Sequence, residues 1–250
     1  MLYLIGLGLY GLDDLTLGGL SCLKKSDRVF LESYTSFHTL NVGEFEALCG
    51  RKIEVLGRIG VEDDLVKNII EPASKGVVSL LVAGDPLVAT THSGIITEAV
   101  KRGVCVRIIH ASSIVSAVGE TGLSVYKFGR ITTLNIPEQG YAPTSAYDFI
   151  LENKKAGLHS LILLDVKADK DKYMSVAEGV SELLRLEAEK KGGLFDEDTK
   201  LVGLARLGAQ DSIIKYRSIS ELMEADFGGP PHALILPGKL HFTEEEAINK

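Results

Sequence analysis

Cysteine is scarce in this chain of 250 residues. Cys22, Cys49 and Cys105 are odd in number, far apart and never arranged as C-x-x-C, which excludes a disulfide framework or a zinc site and leaves buried thiols of a reducing compartment. Long apolar runs are missing as well. The N-terminal run covers about nine residues before Tyr10 and Asp13 and has no basic segment ahead of it, too short for a membrane span and wrong for a secretion signal. Charge of one sign is nowhere concentrated: 27 Lys and Arg against 34 Asp and Glu give a net charge of −7, so no electrostatic grip on nucleic acid is expected. There is no internal repeat, no low-complexity tract, no metal-ligand set and no Ser/His/Asp order with nucleophile-elbow spacing. A soluble cytoplasmic protein without a metal is the expectation.

What is present is a hydrophobic share of 45%, enough for one large core or two modest ones. The most informative stretch runs from Leu2 to Thr16, LYLIGLGLYGLDDLT, an apolar run opening into Gly6, Gly8 and Gly11. These glycines satisfy G-x-G-x-x-G literally. Glu32 ends the next apolar run, where an NAD-binding fold keeps its ribose acid, so this part alone suggests a dehydrogenase. Asp13 and Asp14 argue against that reading. Apolar helical spacing resumes only near Leu15, and two carboxylates at the mouth of that helix cap it well but repel a pyrophosphate. The turn is expected to serve a ligand that is not a phosphate.

Strands are predicted over 28–32, 52–56, 76–83 and 104–109, with helices over 16–25, from Val42, over 62–74 and over 90–102. Two strand ends carry candidate ligand groups. Asp85 stands between Gly84 and Pro86 after the most apolar strand, and His110-Ala-Ser-Ser113 closes the next one. The hydroxyl-rich loop 33–36 is weighed equally as ligand contact or helix cap, and His110 as a satisfied strand-end histidine before a catalytic base. Periodicity breaks between Gly119 and Pro143, which sets expected domains of 1–120 and 121–250. The second has helices over 144–155 and 173–191, the latter with Ala177, Val180, Leu183 and Leu184 as its buried stripe, and strands over 158–165, 201–207, 212–216 and 233–236. The 192–198 loop reads as a solvated connection, and the Gly228-Gly-Pro-Pro turn as a rigid holder for His232. The fold class is α/β, two successive α/β domains with a ligand crevice between them.

Gly6-Leu-Gly8, Ala83-Gly-Asp-Pro86 and His110-Ala-Ser-Ser113, in this order, resemble the tetrapyrrole methylase superfamily, class III methyltransferases that bind S-adenosylmethionine between two α/β domains. Within it, GLGLYGLDDLT, LESYTS, AGDPLVATTHS, YKFG, ARLG and FGGPPHALILPGKLHFTEEEA are similar to the diphthine synthase family over the full length. The porphyrin-methylating branch has Pro-Gly-Asp where this chain has Leu9-Tyr10-Gly11, which makes a planar macrocycle the less expected acceptor.

The resemblance implies methylation, three times in archaeal-type members, of the amino group of a modified histidine on translation elongation factor two during diphthamide biosynthesis. It implies S-adenosylmethionine as donor, S-adenosylhomocysteine as product and a homodimer. It carries cofactor contacts onto Leu9, Asp85, Val88, Ser113 and Ile114, and onto Leu164, Leu207 and His232. No catalytic dyad is singled out; Asp85, His92 or His110 are candidates to help deprotonate the amine. The competing expectations are a methylase of a tetrapyrrole precursor, an NAD-dependent oxidoreductase and a binding module without activity.

Overall fold

The computed structural model describes residues 1–34, 41–138 and 140–249, with Asp169 by its backbone alone. The chain divides into two compact units, one of Met1–Ile114 with Lys167–Lys172, the other of Val115–Val166 with Tyr173–Lys250.

The first unit is built on a parallel sheet of β1 (Leu2–Gly6), β2 (Arg28–Glu32), β3 (Ile53–Leu56), β4 (Val78–Val82) and β5 (Val106–Ile109), in the order β3-β2-β4-β1-β5. Continuous apolar runs produce this arrangement because helices cover both faces. Leu2 and Leu4 of β1 join Phe30, Leu80 and Val82 in one apolar cluster, while Tyr3 and Ile5 join Leu23, Val29 and Leu31 in the other. The connecting helices are α1 (Leu17–Lys24), α2 (Val42–Cys49), α3 (Arg58–Val61), α4 (Glu71–Lys75) and α5 (Ser93–Lys101); α6 (Ile114–Ala117) opens at this unit's Ile114 and continues in residues of the second. The helix expected over 62–74 is interrupted: Val66–Ile70 forms a π-turn that buries Ile69 and Ile70 before α4 begins.

Strand order decides where a ligand can sit. From β1 the chain crosses to β2, on the far side of β4, and from β4 it crosses to β5, on the far side of β1. These adjacent strands therefore form the switch point at which parallel sheets open a crevice at their carboxyl ends. The loops there are Leu7–Gly11 and Ala83–Val88.

The second unit has a mixed sheet, ordered β11-β10-β12-β7-β6, from β6 (Thr132–Leu134), β7 (Ser160–Leu164), β10 (Lys200–Ala205), β11 (Ile213–Ser218) and β12 (His232–Leu236). Only β6 and β7 are parallel. The two-residue strands β8 (Val166–Lys167) and β9 (Lys172–Tyr173) precede the long helix α8 (Val176–Lys190). Helices α7 (Ser145–Lys155), α8 and α9 (Ile219–Glu224) enclose an apolar core that includes Tyr147, Ile150, Leu183, Leu222 and Leu234. On α8 the buried stripe is Val176, Val180, Leu183 and Leu186, with Ala177 and Leu184 only half-buried, a rotation from the expected face. The Gly192–Phe195 segment is tied down rather than merely solvated: the amides of Gly193, Leu194 and Phe195 donate to Glu187, and Leu194 and Phe195 are buried.

The closing helix α10 (Phe242–Ile248) is fixed by Glu244, which is 3% exposed. This carboxylate accepts the amides of Ser124 (2.9 Å) and His241 (2.8 Å), the Lys127 ammonium, and the Nε2–H of His159 (3.2 Å). The Gly238 amide donates to Nδ1 of His159, which makes that imidazole neutral with its proton on Nε2. Burial by itself raises the Glu244 carboxyl, but Lys127, the two amides and His159 outweigh it and hold it down at about 2. Burial likewise pushes the His159 imidazole below its ordinary value, against the pull of Glu244. Among the described residues no helix is long and apolar enough to cross a membrane.

Candidate cofactor site

In the first unit the switch-point loops are joined. The amide of Gly8 donates to the carbonyl of Gly84 at 3.2 Å and that of Gly84 returns to Gly8 at 2.8 Å, a reciprocal bridge that locks one turn to the other. Gly6 lies where three loops converge. A Cβ there would stand 2.6 Å from the Gly84 carbonyl oxygen and 2.8 Å from Cβ of Ala111, so only glycine fits. Gly8 is at φ 78°, and its hypothetical Cβ would stand 2.3 Å from Cβ of Asp14. Gly11 is different: it is extended, and nothing lies within 4 Å of its missing side chain. Two of the three glycines are thus required by geometry, and the third is not.

Asp14 explains the turn. It does not cap α1, whose N-cap is Thr16 accepting the Gly19 amide at 3.0 Å. Its Oδ2 instead accepts the amides of Leu9 at 3.0 Å and Tyr10 at 2.8 Å. The Leu7 amide goes to the Val82 carbonyl and that of Gly8 to Gly84, so every amide from Leu7 to Tyr10 is engaged inside the protein. A pyrophosphate needs those N–H groups, and here a carboxylate of the chain already holds two of them. Glu32 also departs from a ribose acid: it is fully buried and accepts the Tyr34 amide.

Asp85 is 6% exposed and firmly oriented. Its Oδ1 accepts the Leu87 amide at 3.0 Å, and its Oδ2 accepts Nδ1–H of His110 at 2.8 Å and the Ala111 amide at 3.3 Å. It does not cap α5, which has His92 at its N-cap and no side-chain cap. The Val88 amide donates to the Asp85 carbonyl, and the buried Ser113 lies beside Gly84, just before Ile114 opens α6. The first unit thereby brings Leu9, Asp85, Val88, Ser113 and Ile114 to one end of its sheet. The His110 side chain is two-thirds exposed, whereas His92 is buried with Nδ1 on the Pro86 carbonyl. Thr35 and Ser36, of the loop weighed equally as ligand contact or helix cap, lie outside the described residues.

In the second unit the register places Leu164 at the end of β7 across from His232 at the start of β12, because Leu163 faces Ala233 in an antiparallel pair. His232 also pairs with Ala205 at the end of β10, and Leu207 follows two residues on. Leu164, Leu207 and His232 therefore share one end of that sheet. Leu164 and Leu207 are buried; His232 is half-buried, with Nε2 on the Gly229 carbonyl at 3.0 Å and Nδ1 dry and without a partner. Burial pushes the imidazole below its ordinary value, which keeps it neutral, with Nε2 protonated and Nδ1 a bare acceptor. The residue that sequence reasoning missed here is Arg206, whose guanidinium is buried between the 206–211 loop and the turn before β12.

A parallel switch-point sheet with an amide-saturated glycine turn, a buried Asp at the next strand end and a second, mixed α/β unit define the class. Residues 1–222 match the family of tetrapyrrole (corrin/porphyrin) methylases. The chain is 46% identical to the diphthine synthase of Methanocaldococcus jannaschii over 99% of its own length and 97% of that protein's. It is 43% identical to that of Methanothermobacter thermautotrophicus over 99% and 94%. A solved diphthine synthase structure superposes with a TM-score of 0.89 at 34% identity, covering 99% of this chain and 94% of that one. The chain belongs to the diphthine synthase family of tetrapyrrole methylase-type proteins.

Proposed function

We propose that the protein methylates, three times, the amino group of the modified histidine on translation elongation factor two. Family membership makes it an S-adenosylmethionine-dependent methyltransferase of diphthamide biosynthesis. The finer reading assigns the cofactor to Leu9, Asp85, Val88, Ser113 and Ile114 of the first unit and to Leu164, Leu207 and His232 of the second, in a cytoplasmic homodimer.

The observation that supports this reading is the saturation of the glycine turn by Asp14. A turn with its amides engaged and a carboxylate at its centre repels a phosphate and attracts a cation, the charge type of a sulfonium. The orphan Nδ1 of His232 suits the same group, which carries amine and hydroxyl donors. When bound, S-adenosylmethionine supplies a methyl already activated for displacement by an amine. The chain's own contribution is then alignment and a dry surrounding more than acid or base chemistry. Asp85, fixed by two amides and an imidazole, holds polar groups in place without rotating. His110, exposed and bonded to Asp85, is the imidazole best placed to exchange a proton with solvent.

The test is transfer. Purified protein, labelled donor and elongation factor two carrying the unmethylated intermediate are expected to give a factor heavier by three methyl groups. A factor that stays unlabelled while a porphyrin precursor gains label overturns the assignment. Titration with S-adenosylmethionine and with NAD checks the cofactor separately, and light scattering checks the dimer.

A further inference from the structure

Strand β10 ends at Ala205, and Arg206 then turns into the left-handed region at φ 48°. That conformation disfavours any side chain beyond Cα, so it persists only where surrounding contacts over-determine it. Here the contacts are all on Arg206 itself. Its Nε donates to Asp211 Oδ2 at 2.7 Å and its Nη2 to the Asp211 carbonyl at 3.0 Å. Nη1 donates to the carbonyls of Phe227, at 2.8 Å, and Gly229. The backbone amide donates to the Pro231 carbonyl at 2.9 Å. One 8%-exposed residue thus ties the loop that carries Leu207 to the turn that leads into His232.

The turn is shaped around this guanidinium. Gly228, at φ 65°, has two guanidinium nitrogens 3.2 Å from where a Cβ would stand. Phe227 lies over Gly203, where a Cβ would be 2.4 Å from the ring, and its centroid is 6.1 Å from that of His232. The Gly229 carbonyl that accepts from Arg206 also accepts the Nε2–H of His232. Arg206 therefore positions the group that fixes the tautomer and the ring angle of His232, and so the direction of its dry, unpartnered Nδ1.

We propose that Arg206 is a positioning residue for the methyl donor: it holds Leu207 and the His232 ring so that Nδ1 accepts an N–H or O–H of the bound cofactor. This rests on the reading that Leu207 and His232 contact the cofactor. Lysine cannot replace it, because a single ammonium does not reach acceptors on both loops as the planar fork does.

The test compares Arg206→Lys, Asp211→Asn and His232→Ala, each checked by circular dichroism for a native spectrum. Calorimetric titration with S-adenosylhomocysteine is expected to show affinity about tenfold weaker in Arg206→Lys, the size of one lost hydrogen bond. KM for the donor should rise while kcat at saturation stays within about twofold of wild type. Nitrogen NMR of His232 adds a readout that a purely structural role would not move: one neutral tautomer in wild type with Nδ1 shifting on titration, a mixture in the variant. Native affinity in a folded Arg206→Lys, with His232→Ala weakened, overturns the role of Arg206 and leaves the cofactor reading standing. Native affinity in both overturns the cofactor reading itself. If Arg206→Lys does not fold, Asp211→Asn decides, since it weakens the Nε contact alone; unchanged affinity and an unchanged His232 tautomer there also overturn the inference.

Discussion

Replacing Glu244 by glutamine keeps the shape of the side chain and removes only the charge. The amide oxygen still accepts from Ser124 and His159, but the new NH2 then faces two donors, the His241 amide and the Lys127 ammonium. Losing a charge-assisted bond and a helix cap costs roughly 3–5 kcal/mol together. Holding a carboxyl at about 2 in place of its ordinary 4.5 stabilises the folded unit by about 3 kcal/mol. In a chain of this size that lowers the melting temperature by on the order of 10 °C.

The sign of the pH dependence follows from the depressed carboxyl. Its stabilisation is complete above about 4.5 and is lost as pH falls through about 2. The buried His159, also held below its ordinary value, adds a loss that begins as pH drops below 6.5. Thermal unfolding followed by circular dichroism at pH 7, 5, 4 and 3 should show the gap between wild type and Glu244→Gln shrinking in the acid arm. A gap below about 2 °C at pH 7, or one that stays constant down to pH 3, would show that the Glu244 charge does not carry this stability.

Asp85→Ala should weaken S-adenosylmethionine binding more than it alters any separate proton-transfer step; unchanged calorimetric affinity would show the assigned role to be wrong. Asp14→Asn keeps the turn's shape but removes its charge, so donor affinity is expected to fall about tenfold with no gain in NAD binding, both read by titration. Gly6→Ala forces a methyl against the Gly84 carbonyl and Ala111, and chemical denaturation should show a loss of about 1–3 kcal/mol or failure to fold.

Strand and helix existence was largely legible because apolar runs and helical spacing are local. The strand end at Gly6 and the Gly84 turn after β4 carry their punctuation in the sequence, and the first unit's candidate cofactor positions gather there, while those of the second share one end of its own sheet. Elements that were missed are short or interrupted. Strand β6 has three residues amid glycines and prolines, and α9 and α10 span six and seven residues. Their signal was present as capping boxes, Ser218 with Glu221 and His241 with Glu244. The role of Asp14 was hidden because a carboxylate before a helix reads as a cap, and only the intervening 3-10 turn sends it back to Leu9 and Tyr10. Arg206 stood in the sequence only as part of the ARLG match: its importance lies in a backbone angle and in partners at Asp211 and near residue 228.

The reciprocal bridge between Gly8 and Gly84 also bears on how the protein is made. The glycine turn is translated before β4, yet its fixed form waits for that strand and the loop after it, and Gly6 needs Ala111 as its third wall. An emerging chain that stops short of Ala111 therefore carries the glycine turn without the partners that shape it. Donor binding by ribosome-held fragments should switch on late and abruptly, once the strand ends near residues 84 and 111 and, after them, Leu207 and His232 have left the exit tunnel.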